Sequence, residues 1–387
     1  MTETILILGN GFDIAMGRKT KYTDFIEFEK QLFSNPDEEL LKFLKDKNIR
    51  IEEYRDNLYL KFIHENKDRL GENWSNLEIM ISQLADAIMY FKENNEVLFK
   101  VATTGRNWLL EEDLLQEKNY RSKLYIANKF FSLFHEKGWS SLEREVSLDK
   151  LNNEFIRQLD FLIELLEIYL SYLDYLDFEV RKTEVSSTAL DAISDLSNSY
   201  IINFNYTNTS GHLFGSSKEN THFIHGRIDL ERTFNRINTM VFGIEDKENN
   251  INSDLIPYQK YYQRVVKETG SKFEDFFCIT NLKKEYINVS GNKLPVTHSS
   301  PKNIVVFGHS VDPLDKEIFQ KCFELAKNGR YHYRFIFTYF DESAKCSIVK
   351  NLAIILGKEK LIELTGKRNI VFVKSNDKDG MKEVLIP

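Results

Sequence analysis

The sequence predicts an α/β protein: a doubly wound, mostly parallel, Rossmann-like sheet with a large helical insertion after its first strand. Three observations lead there. The chain opens on an apolar run, residues 4–8, that stops at Gly9-Asn10-Gly11. Short apolar runs of this kind return only after residue 198, where helical patterns separate them. Between the two regions helical periodicity dominates and strand signals nearly vanish.

The elements follow in order. Residues 4–8 read as a strand buried on both faces, because an apolar run ending in glycines is typical of a parallel sheet. Helical patterns then occupy 24–33, 53–65, 76–94 and 152–176, and the last is apolar on most faces, as in a helix buried among helices. Strands are expected at 200–204, 222–225, 239–242, 303–307, 332–339 and 370–374. Helices are expected at 255–268, 313–327 and 342–357. The economical organisation is one nucleotide-binding α/β domain, residues 1–22 plus 198–387. A helical insertion, 23–197, is expected to pack on it, since no Gly/Ser-rich linker separates them.

Composition narrows the function classes. Aromatics reach 13%, which excludes a disordered chain. The net charge of −7 argues against bulk nucleic-acid affinity. Residues 251–387 nevertheless carry 22 Lys+Arg against 16 Asp+Glu, so that part is able to receive phosphates. No stretch has the length of a membrane span. Three cysteines without a CxxC fit a reducing cytoplasm and leave no zinc ribbon, so no metal site and no zinc are expected.

Four polar, glycine-bearing junctions follow the expected strands. Gly9-Asn10-Gly11-Phe12-Asp13 joins the first strand to a helix. Such glycines let a backbone approach a phosphate, which the helix start would attract. Asp13 also suits a helix N-cap. Asn203-Phe204-Asn205-Tyr206-Thr207-Asn208 combines turn chemistry with a strand's carboxyl end. His225-Gly226 ends the next strand. Gly308-His309-Ser310 leads to Asp312, Pro313 and Asp315, which suit an N-cap, a first helical position and a capping box. The carboxyl ends of parallel strands gather at one sheet edge, where α/β proteins bind ligands. That is a nucleotide site in outline.

The motifs resemble the AbiH family of bacterial phage-abortive-infection proteins. The resemblance rests on Gly9-Asn10-Gly11-Phe12-Asp13, Gly17, Thr20, Tyr22, Asp24-Phe25, Trp74, Glu78 and Asn203-Phe204-Asn205-Tyr206-Thr207. It continues through Ile224-His225-Gly226, Val241-Phe242-Gly243-Ile244-Glu245-Asp246 and Gly308-His309-Ser310. More distantly, their order is similar to the sirtuin-like NAD-hydrolysing domains of bacterial defence systems. That resemblance implies catalytic roles for Asn205 and His225 and ligand contacts at Gly9, Gly11, Gly308 and Ser310. Asn10 and Phe12, inside the glycine loop, are expected as further ligand contacts, and Asp13 is expected to add negative potential near a developing cation. Two positions depart from the pattern: Asp13 stands where Ser or Thr is usual, and Thr207 where Asp is common.

Two functions follow as expectations. One is an enzyme that hydrolyses the nicotinamide–ribose bond of NAD⁺, with NAD⁺ as substrate and no permanently bound cofactor. The other is a nucleotide-binding sensor or protein-interaction module without turnover. Both imply a cytoplasmic defence protein, answering to a phage-derived or host protein trigger and able to self-associate. Trp74 and Glu78 share one helix face, and Glu78 is expected to pair near the glycine loop.

Overall fold

The computed structural model describes residues 4–65, 78–79, 81–82, 84–85, 144–184, 186–233, 237–244, 254–277, 286–289, 292–295, 302–327 and 332–386. Two compact units emerge. The first comprises Met1–Thr20, Leu173–Arg227 and Thr269–Pro387, and the second Lys21–Tyr172 and Ile228–Glu268. The second unit thus takes in residues 228–268, which the sequence reading grouped with the sheet.

The first unit holds β1 (Thr4–Leu8), β2 (Tyr200–Asn203), β3 (Thr221–Phe223), β4 (Tyr286–Val289), β5 (Asn292–Pro295), β6 (Asn303–Phe307), β7 (Arg334–Tyr339) and β8 (Ile370–Lys374). Strands β4 and β5 form an antiparallel hairpin. The other six form one sheet in the order β3-β2-β1-β6-β7-β8, with every pairing parallel. The first strand is therefore central, as its apolar run predicts.

Alternation along each strand splits the core in two. Ile5, Ile7, Ile202, Ile304, Val306, Phe335 and Phe337 belong to one cluster. Phe319 and Phe323 of the helix Lys316–Lys327 and Leu352 of the helix Glu342–Leu356 join it. Leu6, Leu8, Ile201, Val305, Phe307 and Ile336 belong to the other, with Phe12, Met16, Leu190 and Met381. Both faces are covered, and full burial of each such side chain contributes roughly 1.5–3 kcal/mol.

The order reverses between β1 and β6. From β1 the sheet grows outward through β2 and β3, then resumes on β1's other side with β6. Register sets the loops level: Leu8 lies opposite both Asn203 and Phe307. The ladder continues past the strand ends through Gly9 N–H to Phe307 O (3.0 Å) and Phe204 N–H to Leu8 O (2.9 Å).

The second unit is built from the helices Tyr22–Ser34, Glu38–Asp46, Leu58–Glu65 and most of Arg144–Asp174. Aromatic rings fill it. Phe28 meets Tyr169 at 4.9 Å between ring centroids, and Phe43 meets Tyr172 at 5.3 Å. Asn57 Oδ1 accepts from Tyr59 N–H (3.0 Å) and Leu60 N–H (3.2 Å), which caps the helix Leu58–Glu65.

Three expected elements differ. The helix expected at 53–65 begins late, with a 3₁₀ turn at Glu52–Tyr54 and the helix itself over Leu58–Glu65. Residues 239–242 form no strand, because the Gln263 side chain takes a neighbouring strand's place. Its Oε1 accepts from Phe242 N–H and its Nε2 donates to Phe242 O, both at 3.0 Å. The helix expected at 255–268 breaks into a 3₁₀ turn, Ile256–Tyr258, and a helix, Lys260–Val266, with Gln259 extended between them. Most of the helix expected at 76–94, and Trp74, lie outside the described residues. Glu78 is described, and it pairs with Lys260 Nζ at 3.0 Å within the second unit.

Two glycines offer a controlled comparison. Gly17 and Gly308 have positive φ, +79° and +69°. An added Cβ would meet nothing within 4 Å at Gly17 but would lie 2.2 Å from Phe12 N at Gly308. Gly17→Ala should cost only the backbone term, roughly 1–2 kcal/mol. Gly308→Ala should lower the melting temperature clearly further, since its obstacle is backbone. Equal melting temperatures would show that the loop contact carries no stability.

Candidate functional site

The two central glycine loops lean on each other. Gly11 N–H donates to Gly308 O at 2.8 Å. A Cβ at Gly9 would lie 2.6 Å from Gly308 O and 2.7 Å from His309 Cα, and one at Gly11 2.7 Å from Gly308 Cα. The glycines thus permit loop-on-loop contact at the point where the strand order reverses. The helix after them, Asn10–Ala15, has six residues. Phe12 N–H donates to Gly9 O, and Asn10 Nδ2 donates to Thr20 O. The Phe12 ring lies in the core, 6.1 Å from the Phe307 ring. Ser310 is exposed, and its carbonyl accepts from Asn351 Nδ2.

The asparagine turn after β2 supports this contact. Asn203 Oδ1 accepts from Asn205 N–H and Asn203 Nδ2 donates to Thr207 O, both at 2.9 Å, so one side chain folds the turn. The turn aims Asn205 at the glycine loop, where its Nδ2 donates to Gly9 O at 3.1 Å. Thr207 Oγ1 donates to Asp13 Oδ2.

Asp13 is 1% exposed and belongs to a buried charge cluster. Arg18 Nη1 lies 3.8 Å from Asp13 Oδ2. Arg18 Nε donates to Asp177 Oδ2 at 2.9 Å, Nη1 to Thr209 Oγ1, and Nη2 to Asp174 Oδ1. The guanidinium carbon also sits 4.9 Å from the centroid of the Phe178 ring. One cation thus serves three carboxylates. Burial pushes the Asp13 carboxyl up, against the pull of Arg18 and the Thr207 hydroxyl. Burial likewise raises Asp174 to about 6, although Arg18 opposes it.

Two imidazoles and one carboxylate form the remaining group. His225, just past β3, places Nε2 3.1 Å from Asp315 Oδ1. His309, just past β6, places Nε2 3.6 Å from Asp315 Oδ2. His309 Nδ1 accepts from Val311 N–H at 2.8 Å, which puts the proton of its neutral form on Nε2, facing Asp315. Phe204 fills the angle between the rings, 5.5 Å from His225 and 4.3 Å from His309. Asp315 is therefore more than a capping residue: Asp312 takes the cap by accepting from Leu314 N–H.

A continuous line of contacts joins these groups, from Asp13 and Thr207 through Asn205, Gly9 and His309 to Asp315 and His225. Sequence reasoning missed His309 and Asp315 as a pair for His225. His309 sat inside a quoted motif, while the helix-start pattern at 312–315 masked Asp315. Arg18, Asp174 and Asp177 carried no signal, since only folding brings them together.

The charge cluster yields two expectations. Arg18→Met strands three carboxylates, Asp13 and Asp177 buried and Asp174 partly so, and should cost about 3–5 kcal/mol at pH 7. A loss below 1 kcal/mol in denaturant unfolding would contradict the cluster. A carboxyl raised by folding holds its proton more tightly in the native state. Its contribution is thus fully present below the unfolded value of 3.8 and is lost as pH rises through about 6. Wild-type stability relative to Asp174→Asn should therefore fall between about pH 4 and pH 6, and a flat difference would contradict the assignment.

The comparisons with known proteins agree with the chain's motifs. The family model described as Bacteriophage abortive infection AbiH matches residues 5–337. No curated protein and no solved structure matches the chain significantly. A match over most of the length shows the family, and the chain belongs to the AbiH family of bacteriophage abortive-infection proteins.

Proposed function

We propose that the carboxyl edge of the sheet is a nucleotide site on a Rossmann-like domain, and that the protein serves abortive infection by hydrolysing NAD⁺ at the nicotinamide–ribose bond. The observation that carries this reading is the His225–Asp315 contact beside the strand-order reversal. Ligands of open α/β sheets bind at such a crevice. An imidazole whose Nε2–H faces a carboxylate keeps Nδ1 as its basic nitrogen, and since the Nδ1 of His225 is buried, the reading requires ligand binding to open that side of the ring to the attacking water.

In the reaction the C1′–N bond of the nicotinamide riboside breaks and both electrons leave with neutral nicotinamide. Water attacks the oxocarbenium-like C1′ and loses one proton to His225. Asp315 stabilises the imidazolium that results. The products are nicotinamide, ADP-ribose and the proton. Asn205, bound to Gly9 O, would hold the loop beneath the sugar. Asp13 would lend negative potential through the buried cluster.

The two departures from the sirtuin-like pattern also support the reading, because they are each other's partners. Thr207 donates to Asp13. We read the contact as a hydroxyl–carboxylate pair in which the two residue types have exchanged positions.

A second reading, nucleotide binding without turnover, has its own support. The Gly11 N–H that would greet a phosphate is committed to Gly308 O. A phosphate on that donor would need the two loops to part, which suits a sensor better than an enzyme.

Purified protein should release nicotinamide from NAD⁺, if necessary in extract from phage-infected cells. His225→Ala and Asp315→Asn should each lose roughly 10²–10⁴-fold in rate, with thermal melts as the folding control. Turnover that survives both substitutions would remove the pair from the chemistry. Nucleotide binding without nicotinamide release under any condition would leave the second reading. Asp13→Thr and Thr207→Asp should each impair the site, and the double variant should recover much of the loss. An additive loss would refute the exchanged pair.

A further inference from the structure

Among the described residues, the large apolar side chain most open to solvent stands at the carboxyl edge of the sheet. Phe340, the first residue past β7, is 85% exposed. The aromatic residues before it behave otherwise: Phe335 and Phe337 are buried and Tyr339 is half-buried. A lone exposed apolar residue is ordinary on a protein surface, but this one is held in place at the edge where ligands of α/β sheets bind.

Both of its neighbours are anchored. Tyr339 O accepts from Ser375 N–H at 2.9 Å, which fixes the strand end. Asp341 Oδ1 accepts from Ala344 N–H at 2.8 Å and Asp341 O from Lys345 N–H at 3.1 Å, which starts the helix Glu342–Leu356. Phe340 thus presents its ring to solvent from a firm support.

That support is tied to the candidate site. Val306 lies opposite Phe337, so the end of β7 runs level with the Gly308-His309-Ser310 loop. Asn351, on the helix that Asp341 caps, is the residue that donates to Ser310 O, at 3.0 Å. Ser310 is itself exposed. An open aromatic face and an open hydroxyl therefore occupy neighbouring loops beside the strand-order reversal. A flat apolar surface in that place suits a flat ring. It does not suit a phosphate, since Glu342 occupies the first turn of the helix. Phe340 follows β7 and His225 follows β3, on opposite sides of β1, so a ligand that reaches both crosses the reversal.

We propose that Phe340 is the stacking platform for the adenine of the nucleotide. The adenine end then lies over the loops that follow β6 and β7, and the opposite end is left for His225. This rests on the nucleotide site assigned above and not on turnover there.

Titration calorimetry on the full chain tests it, with ADP-ribose as the ligand that carries adenine and nicotinamide mononucleotide as the one that lacks it. Phe340→Ala should weaken ADP-ribose by roughly 10–100-fold, the worth of one base–aromatic stack, and leave nicotinamide mononucleotide unchanged. Phe340→Trp should bind ADP-ribose at least as tightly as the wild type. Phe340→Leu, apolar but without a π-face, should lose most of the affinity. All three should keep the wild-type melting temperature, because the side chain is exposed. ADP-ribose binding that is indifferent to Phe340→Ala, or fully kept in Phe340→Leu, would overturn the platform alone. Equal weakening of both ligands would overturn the orientation. A wild type that binds no ADP-ribose would overturn the platform together with the nucleotide site. Binding that depends on Phe340 in a protein that never cleaves NAD⁺ would support the platform and remove only the hydrolysis.

Discussion

The contact on which the rest of the site depends is the docking of one glycine loop on another. Gly9, Gly11 and Gly308 bring two backbone segments closer than any side chain would allow. The hydrogen bond from Gly11 N–H to Gly308 O fixes their relative height. That contact lies where the strand order reverses, between loops that lead to helices of the two different core clusters. Asn205 then binds Gly9 O, and His309 sits beside Gly9. Backbone thus anchors Asn205 and His309, while the side chains of Asn203, Asp13 and Asp315 hold the turn and the imidazoles around them.

Within that frame Asp315 sets the chemistry. A carboxylate between two imidazoles makes each prefer the tautomer that points N–H toward it. Phe204 packs against both rings, edge-on to each. The two histidines are not equivalent. His309 has its other nitrogen committed to Val311 N–H, which makes it part of the support. The closer imidazole, that of His225 at 3.1 Å, is the one to which the proposed reaction assigns the base.

Much of this frame was legible in the sequence. The apolar run 4–8, its glycine stop and the later strands expected from 200, 303, 332 and 370 pointed to a central first strand, because a strand buried on both faces needs neighbours that only the later segment supplies. The junction motifs were found because polar and glycine residues at strand ends are local signals. The contents of the site were less legible. Asp315 obeyed a local helix-start rule and gave no hint of its distant partners. The glycines suggested a phosphate cradle, while their conformations answer to one another. The run 239–242 had the composition of a strand, but Gln263 satisfied its backbone with a side-chain amide, a solution no periodicity reveals. The hairpin Tyr286–Val289 and Asn292–Pro295 went unread although Ser290-Gly291 between them is a turn signal.

The buried cluster around Arg18 links the site to the chain's longest excursion. The chain leaves the sheet unit at Thr20 and re-enters it at Leu173. Arg18 stands just before the exit, and Asp174 and Asp177 just after the return, so one guanidinium fastens the two ends of the excursion together. Loop-closure entropy grows slowly with length, by about 0.6 kcal/mol per doubling, so a long insertion burdens the sheet little once its ends are pinned. The same guanidinium reaches Asp13 and Thr209, and Asp13 holds Thr207 in the asparagine turn. Through Asp13 and Thr207 the cluster that pins the ends of the excursion is also hydrogen-bonded to the asparagine turn.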